Sequence, residues 1–162
     1  MSRITVIGGT WYAGSATVAE AAARGHEVTS YSRSLPDSHI PNVSYVRGDA
    51  ADEPSLAAVI EGADVVVGAL SPRGALTDSY RDVYRTIARL ADTAKARLFI
   101  VGGFSSLRPA PGAPRFVTDL SHAPAEYHAE LTTFAALVAD HLPATPATRD
   151  WVFVSPAGKF GS

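Results

Sequence analysis

A glycine-rich turn between a short strand and a helix, close to the N-terminus, most constrains what this chain can fold into. A β-branched run, ITVI, is followed at residues 8–14 by GGTWYAG and then by an alanine-rich segment with helical spacing. Glycine lets a backbone turn sharply and approach a bound group closely. A helix N-terminus adds unpaired N–H groups and a partial positive charge. The pattern predicts a phosphate-binding turn; the alternative is that the glycines serve packing alone.

Apolar runs alternate with helical patterns along the rest of the chain. Six strands are predicted, at Ile4–Ile7, Glu27–Ser32, Val43–Val46, Ala63–Ala69, Arg97–Gly102 and Trp151–Val154. Helices are predicted between them, and a proline-containing loop runs from Gly103 to about Ala123 before a helix that starts near Tyr127. This alternation predicts a doubly wound, Rossmann-like parallel sheet covered by helices on both faces, a three-layer α/β/α fold. A chain of 162 residues is expected to form one domain, residues 1–162.

Composition excludes several classes of protein. The formal net charge is −2, so no general attraction to nucleic acid or to an anionic membrane is expected. There are no cysteines, which excludes disulfides and thiolate metal sites, and the spacing of His122 and His128 fits no common set of metal ligands. No apolar run approaches the roughly 20 residues that span a bilayer. We expect a cytoplasmic protein that acts on a small-molecule substrate.

The second predicted strand ends without an acid. Folds that prefer NAD usually place an acid there, where it bonds the ribose 2′-OH. This strand is followed instead by Arg33, with a serine on each side. A guanidinium attracts a 2′-phosphate and can bond it with two N–H groups. The residues therefore favour NADP(H); the alternative is a solvated surface arginine.

The chain resembles the atypical branch of the short-chain dehydrogenase/reductase superfamily, the NmrA-like and flavin-reductase-like NAD(P)H-binding proteins. Gly8, Gly9, Thr10 and Gly14 match the G-[AG]-T-G-x-x-G pattern of that branch, with Trp11 at its middle glycine. The resemblance continues through ARGHEVTSYSR, VRGDAAD, ADVVVGAL and DWVFVSPAGKF. The indole of Trp11 either blocks the approach of the backbone to a pyrophosphate or lies aside and stacks on the cofactor or the substrate.

The resemblance implies a set of cofactor-binding residues. The pyrophosphate would lie on the turn and the helix start, at Gly8, Thr10, Trp11, Tyr12, Ala13 and Gly14. Asp49 would accept a hydrogen bond from the adenine amino group, although an Asx turn explains it equally well and both can hold. Ala69 and Leu70 would line the adenosine side, and Gly102 is placed in the same groove.

The resemblance also implies a catalytic serine after the fifth strand and a Tyr-x-x-x-Lys motif on the next helix. Ser105 and Tyr127 occupy these places, but the residue four after the tyrosine is Leu131. The missing lysine disfavours alcohol–ketone interconversion. We expect an NADPH-dependent oxidoreductase that passes hydride to a small flavin-, quinone- or enone-like acceptor. The alternatives are a non-catalytic NADP(H) sensor of the NmrA-like type and an epimerase- or isomerase-like enzyme.

Members of this branch continue past the SPAGKFGS segment with a further strand and helix. We therefore expect the chain to lack the C-terminal segment of the family. A homodimer partner is one way to cover the sheet edge that this leaves.

Overall fold

Six parallel strands form a single sheet at the centre of the protein. The computed structural model describes residues 1–144 and 151–156. The strands are β1 Arg3–Ile7, β2 Glu27–Ser32, β3 Val43–Arg47, β4 Val65–Gly68, β5 Arg97–Val101 and β6 Trp151–Val154. Their order across the sheet is β3-β2-β1-β4-β5-β6, and every neighbouring pair is parallel. This confirms the predicted doubly wound, Rossmann-like fold.

Helices cover both faces of the sheet. They are α1 Tyr12–Ala23, α2 Glu53–Ile60, α3 Tyr80–Thr93 and α4 His128–Ala136, which continues through a π-helical turn, Leu137–His141, into α5 Leu142–Ala144. Successive residues of β1 belong to different layers, since Val6 packs in a cluster with Val18 of α1 and Ile7 in one with Tyr84 of α3. A parallel strand buried on both sides is expected to be apolar throughout, as β4 is with the sequence VVVG.

The direction of strand succession reverses between β1 and β4. From β1 the chain proceeds outward to β2 and β3, then returns to place β4 on the other side of β1. Ile7 lies opposite Tyr31 on one side and Gly68 on the other, so the three strands end at the same level. In a sheet of this kind the reversal leaves a crevice at the carboxyl ends of the strands. Residues after β1, β2, β3 and β4 therefore converge there.

The structure corrects the predicted surroundings of Tyr127. The helical spacing of Tyr127, Leu131 and Phe134 predicts the Tyr127 ring on the apolar side of a helix. In the structure α4 begins at His128, and Tyr127 lies in the 3₁₀ turn Ala125–Tyr127 before it, with 40% of its surface exposed. The loop after β5 carries two further short turns, Phe104–Ser106 and Phe116–Thr118. Parts of the DWVFVSPAGKF segment, residues 150 and 157–160, lie outside the described residues.

Gly14→Ala is expected to lower the free energy of unfolding by about 1–3 kcal/mol. Helix propensity alone would raise the free energy of unfolding by about 1 kcal/mol. The new methyl group, however, would come 2.1 Å from the Gly8 carbonyl oxygen, a backbone atom of the turn after β1. Urea denaturation measures the change. Ser15→Ala, at an exposed position of the same helix, is the control and should shift it by less than about 0.5 kcal/mol. Equal stability of Gly14→Ala and the parent chain would contradict the tight contact.

Candidate dinucleotide-binding groove

A groove opens at the carboxyl ends of β1, β2, β3 and β4. It lies at the reversal of strand order, where open α/β sheets bind ligands. Its walls bring together many of the residues predicted to bind the cofactor: Gly8, Thr10, Trp11, Arg33, Asp49, Ala69 and Leu70. These residues are distributed over most of the first half of the sequence and meet because parallel strands end at one edge of the sheet.

The floor of the groove is the turn after β1. Gly8 has φ +87°, a left-handed conformation that favours glycine, and a Cβ there would come 2.6 Å from the Ala69 carbonyl oxygen. Its N–H donates to the Tyr31 carbonyl at 2.8 Å. The turn is thus fixed between the ends of β2 and β4. A side chain at this position would clash with the backbone of Ala69 and push the turn away from the end of β4.

The amino end of α1 is open towards a ligand. No side chain caps it at Trp11, and the first N–H groups of a helix have no acceptor within the helix. Trp11 has φ −86° and ψ 167°, an extended conformation that any residue adopts, so tryptophan needs no strained backbone here. Its side chain lines the groove and is 64% exposed. These features fit a pyrophosphate held by backbone N–H groups.

Four other predicted cofactor residues are not part of the groove wall. Tyr12 and Ala13 line a shallow depression on the outer surface of α1. Gly14 is buried against Gly8, and Gly102 faces the ring of Phe153, which a Cβ would meet at 1.9 Å. The two glycines have packing roles in this structure, and contact of these four residues with a cofactor stays a prediction.

The corner formed by the ends of β2 and β3 holds Arg33 and Asp49. Arg33 is exposed, and within residues 1–144 and 151–156 it has no acidic partner within 4.0 Å. Asp49 Oδ1 accepts a hydrogen bond from the Ala51 N–H at 2.9 Å, so the Asx turn exists. Asp49 also lines the groove, and its bond to adenine stays a prediction.

Tyr31 joins the ends of β2 and β3 from beneath. Its hydroxyl donates to the Asp49 carbonyl at 2.8 Å and lies 2.8 Å from Ser55 Oγ. Gly48 allows this approach, because a Cβ there would come 2.3 Å from the phenol oxygen. Burial raises the pKa of Tyr31, so the phenol keeps its proton at neutral pH. The sequence pattern placed Tyr31 in a strand and gave no sign of this role.

Two buried tyrosines of α3 fix the opposite wall. The Leu70 N–H donates to the Tyr84 hydroxyl, and the Tyr80 hydroxyl donates to the Leu70 carbonyl, both at 3.3 Å. The two rings are 4.8 Å apart. Burial raises the pKa of Tyr84 to about 12 and that of Tyr80 well above its usual value. Both phenols therefore remain neutral at physiological pH. They hold the loop after β4 through hydrogen bonds to the backbone of Leu70.

A polar cluster connects this loop to α4. Glu130 accepts hydrogen bonds from Arg73 Nε at 2.6 Å and from Ser71 Oγ at 3.1 Å. The Arg73 guanidinium lies 5.2 Å from the centre of the Tyr127 ring, and both Ser71 and Arg73 line the groove. Sequence reasoning missed this cluster. Arg73 lies five residues after β4, so the signal that identified Arg33, a cation directly after a strand end, did not mark it.

The two predicted catalytic residues have different surroundings. Ser105 is fully buried and its hydroxyl donates to the Leu131 carbonyl at 2.7 Å, while Ser106 Oγ is 2.9 Å from Ser155 Oγ. The Ser105 proton is thus committed to a helix backbone. Tyr127 is accessible beside Arg73. Neither Ser105 nor Tyr127 is part of the groove wall, and their roles in catalysis stay predictions.

The fold and this groove define a dinucleotide-binding protein. A family model for NAD(P)H-binding proteins matches residues 8–159, and the chain belongs to that family. This agrees with the resemblance to the atypical short-chain dehydrogenase/reductases. No curated protein matches the chain significantly.

Three solved structures extend the comparison. A candidate epimerase from Bacteroides thetaiotaomicron is 29% identical, with a TM-score of 0.84 over 98% of this chain and 72% of that one. A candidate NADH-flavin reductase from Streptococcus pneumoniae is 28% identical, with a TM-score of 0.75 over 98% and 73%. A candidate exported protein from Burkholderia pseudomallei is 33% identical, with a TM-score of 0.73 over 96% and 72%. Within the described part of the chain, no helix has the length and apolar character needed to cross a membrane.

Tyr84→Phe is expected to lower the free energy of unfolding by about 1–3 kcal/mol, because it leaves the Leu70 N–H without its acceptor. The substitution should also reduce the fall in the free energy of unfolding at alkaline pH. The phenol titrates near 10 in the unfolded chain, and in the folded protein its pKa is about 12. As pH rises, the Tyr84 phenol thus loses its proton in the unfolded state before it does so in the folded state. The contribution of Tyr84 to the free energy of unfolding is complete below the unfolded pKa and is lost as pH rises to the folded pKa.

Urea denaturation at pH 8, and then at rising alkaline pH, measures both effects of Tyr84→Phe. Tyr127→Phe, which alters an exposed phenol, is the control and should match the parent chain. An alkaline loss of stability of the same size in Tyr84→Phe and in the parent would show that Tyr84 does not cause it.

Proposed function

We propose that the protein is an NADPH-dependent oxidoreductase that transfers hydride to a small flavin-, quinone- or enone-like acceptor. The observation that carries this proposal is the groove, whose wall joins Thr10 and Trp11 at the open end of α1 to Arg33 at the end of β2. The first two residues suit a pyrophosphate and the third suits a phosphate on the adenosine ribose. The apolar side chain of Leu70 faces the same space and suits the adenosine.

Positioning is the main contribution expected from this chain. Bound NADPH supplies the hydride, and the protein has to hold the acceptor in place and exclude competing groups. Leu131, at the position of the missing lysine, is buried and gives no cation to lower the pKa of a neighbouring phenol. Flavins and quinones need little help with protonation, which suits such a site. The similarity to a candidate NADH-flavin reductase supports the same class of acceptor.

Tyr127 is the group we place on the acceptor side. Its ring is 40% exposed and lies under the guanidinium of Arg73, which Glu130 holds in position. An accessible aromatic ring of this kind can contact a planar acceptor, and its hydroxyl can donate a hydrogen bond to an acceptor oxygen. Arg73 and Glu130 would act through the placement of this ring.

Arg33→Met is expected to weaken NADP⁺ binding by roughly 10- to 100-fold and to leave NAD⁺ binding nearly unchanged. Loss of a charge-assisted hydrogen bond of about 1.5–3 kcal/mol gives this range. The methionine keeps much of the apolar stem, so packing changes little. Isothermal titration with both dinucleotides measures the two affinities.

The matched control for Arg33→Met is Arg81→Met, which removes an exposed arginine of α3 that is not in the groove wall. It should bind both dinucleotides as the parent does. An equal loss of NADP⁺ and NAD⁺ affinity in Arg33→Met would overturn the preference for NADP(H). A parent chain that binds neither dinucleotide at millimolar concentration would overturn the proposed function.

A second function, a non-catalytic NADP(H) sensor, is favoured by the bond between Ser105 and Leu131. The serine hydroxyl donates to the Leu131 carbonyl, so two positions of the usual catalytic relay are used for packing. A protein of this kind would bind the dinucleotide and report its level without turnover. The similarity to a candidate epimerase supports a third function, an epimerase- or isomerase-like reaction with retained cofactor.

Turnover separates these functions. The oxidoreductase is expected to oxidise NADPH above background with at least one acceptor from a panel of flavins, quinones and enones, followed at 340 nm. Tyr127→Phe is expected to lower this rate by roughly 10- to 100-fold if the hydroxyl assists the acceptor. Tight NADP⁺ binding with no turnover across the panel would favour the sensor. Substrate conversion without net NADPH oxidation would favour the epimerase.

A further inference from the structure

A second arginine lies beside Arg33 at the ends of neighbouring strands, just outside the groove wall. Arg47 is the last residue of β3 and lies opposite Ser32, the last residue of β2. Its Nε donates to the Arg33 carbonyl oxygen at 3.1 Å. The two arginines are therefore 14 residues apart in sequence but joined at the ends of neighbouring strands.

Two arginine side chains at this corner are free of acidic partners among the described residues. Both arginines are exposed, and the ion pairs found in residues 1–144 and 151–156 involve other arginines. Asp49 is the acid that lines the groove here. Arg47 adds a second cation near two acids, Asp49 and Asp52, whose charges both act on Tyr31. Neither arginine is paired with an acid among the described residues, so both guanidinium groups are available to an anion.

The bond to the Arg33 carbonyl also orients Arg47. Nε is used by that bond, while Nη1 and Nη2 have no hydrogen-bond partner among the described residues. An anchored guanidinium presents its remaining N–H groups in a fixed plane, which suits phosphate oxygens and reduces the entropy lost on binding. A lysine would give the charge without this fork.

We propose that Arg47 is a specificity-determining residue that binds the 2′-phosphate of NADP(H) together with Arg33. This rests on the proposed function, since it takes the dinucleotide groove as its starting point. Arg33 approaches the phosphate from the end of β2 and Arg47 from the end of β3. Ser32 Oγ donates to the Ser34 carbonyl at 2.7 Å and shapes the turn that carries Arg33.

Titration of the whole chain with NADP⁺, NAD⁺, adenosine 2′,5′-bisphosphate and 5′-AMP tests this proposal. Arg47→Met is expected to bind NADP⁺ and the bisphosphate roughly 10-fold more weakly, with NAD⁺ and 5′-AMP within about twofold of the parent. Arg47→Lys should fall between the two, because it keeps the charge and loses the fork. Arg81→Met is the control and should match the parent. Unchanged NAD⁺ binding shows that Arg47→Met is folded.

Three results would overturn the proposal, and they are distinguishable. Arg47→Met with parental NADP⁺ affinity, while Arg33→Met loses it, would leave Arg33 as the phosphate ligand and the proposed function intact. An equal loss of NAD⁺ and NADP⁺ in Arg47→Met would make Arg47 a structural support for the Arg33 backbone. A parent chain that binds NAD⁺ as tightly as NADP⁺ would remove the nucleotide preference itself.

Discussion

The contact between the turn after β1 and the first turn of α1 is the constraint on which the groove depends. A Cβ at Gly14 would come 2.1 Å from the Gly8 carbonyl oxygen, and one at Gly8 would come 2.6 Å from that of Ala69. Only hydrogen fits at these positions, so the amino end of α1 lies directly over the end of β1 and beside β4. The strand ends that carry Arg33 and Leu70 flank this point.

Buried phenols hold the walls around that centre. Tyr31 binds the backbone after β3 and Tyr84 binds the backbone after β4, each through its hydroxyl. Burial raises the pKa of both, so they act as neutral hydrogen-bonding groups across the physiological range. A residue that faces a ligand can thus differ from the family pattern, as Trp11 does at the middle glycine, while the backbone beneath it keeps its position.

Local sequence patterns record burial and the ends of strands, but they do not record contacts between distant segments. Burial on both faces makes β4 a continuous apolar run, and parallel strands bring the residues that follow them to one edge of the sheet. Arg33 and Leu70 both line the groove for this reason, and their contacts with a cofactor stay predictions. Arg73 and Glu130 are 57 residues apart and meet only through packing of α4, which no local pattern contains. The predicted surroundings of Tyr127 were wrong because the spacing of apolar residues does not fix the first residue of a helix.

Trp11 gives the protein an optical property of its own. The chain has two tryptophans. Trp11 is 64% exposed on the groove wall, while Trp151 is half-buried in β6, opposite Leu98. A molecule that enters the groove would cover the first indole and leave the second in unchanged surroundings. Intrinsic emission from the unlabelled chain would then report occupancy of the groove, with Trp151 as a built-in constant signal.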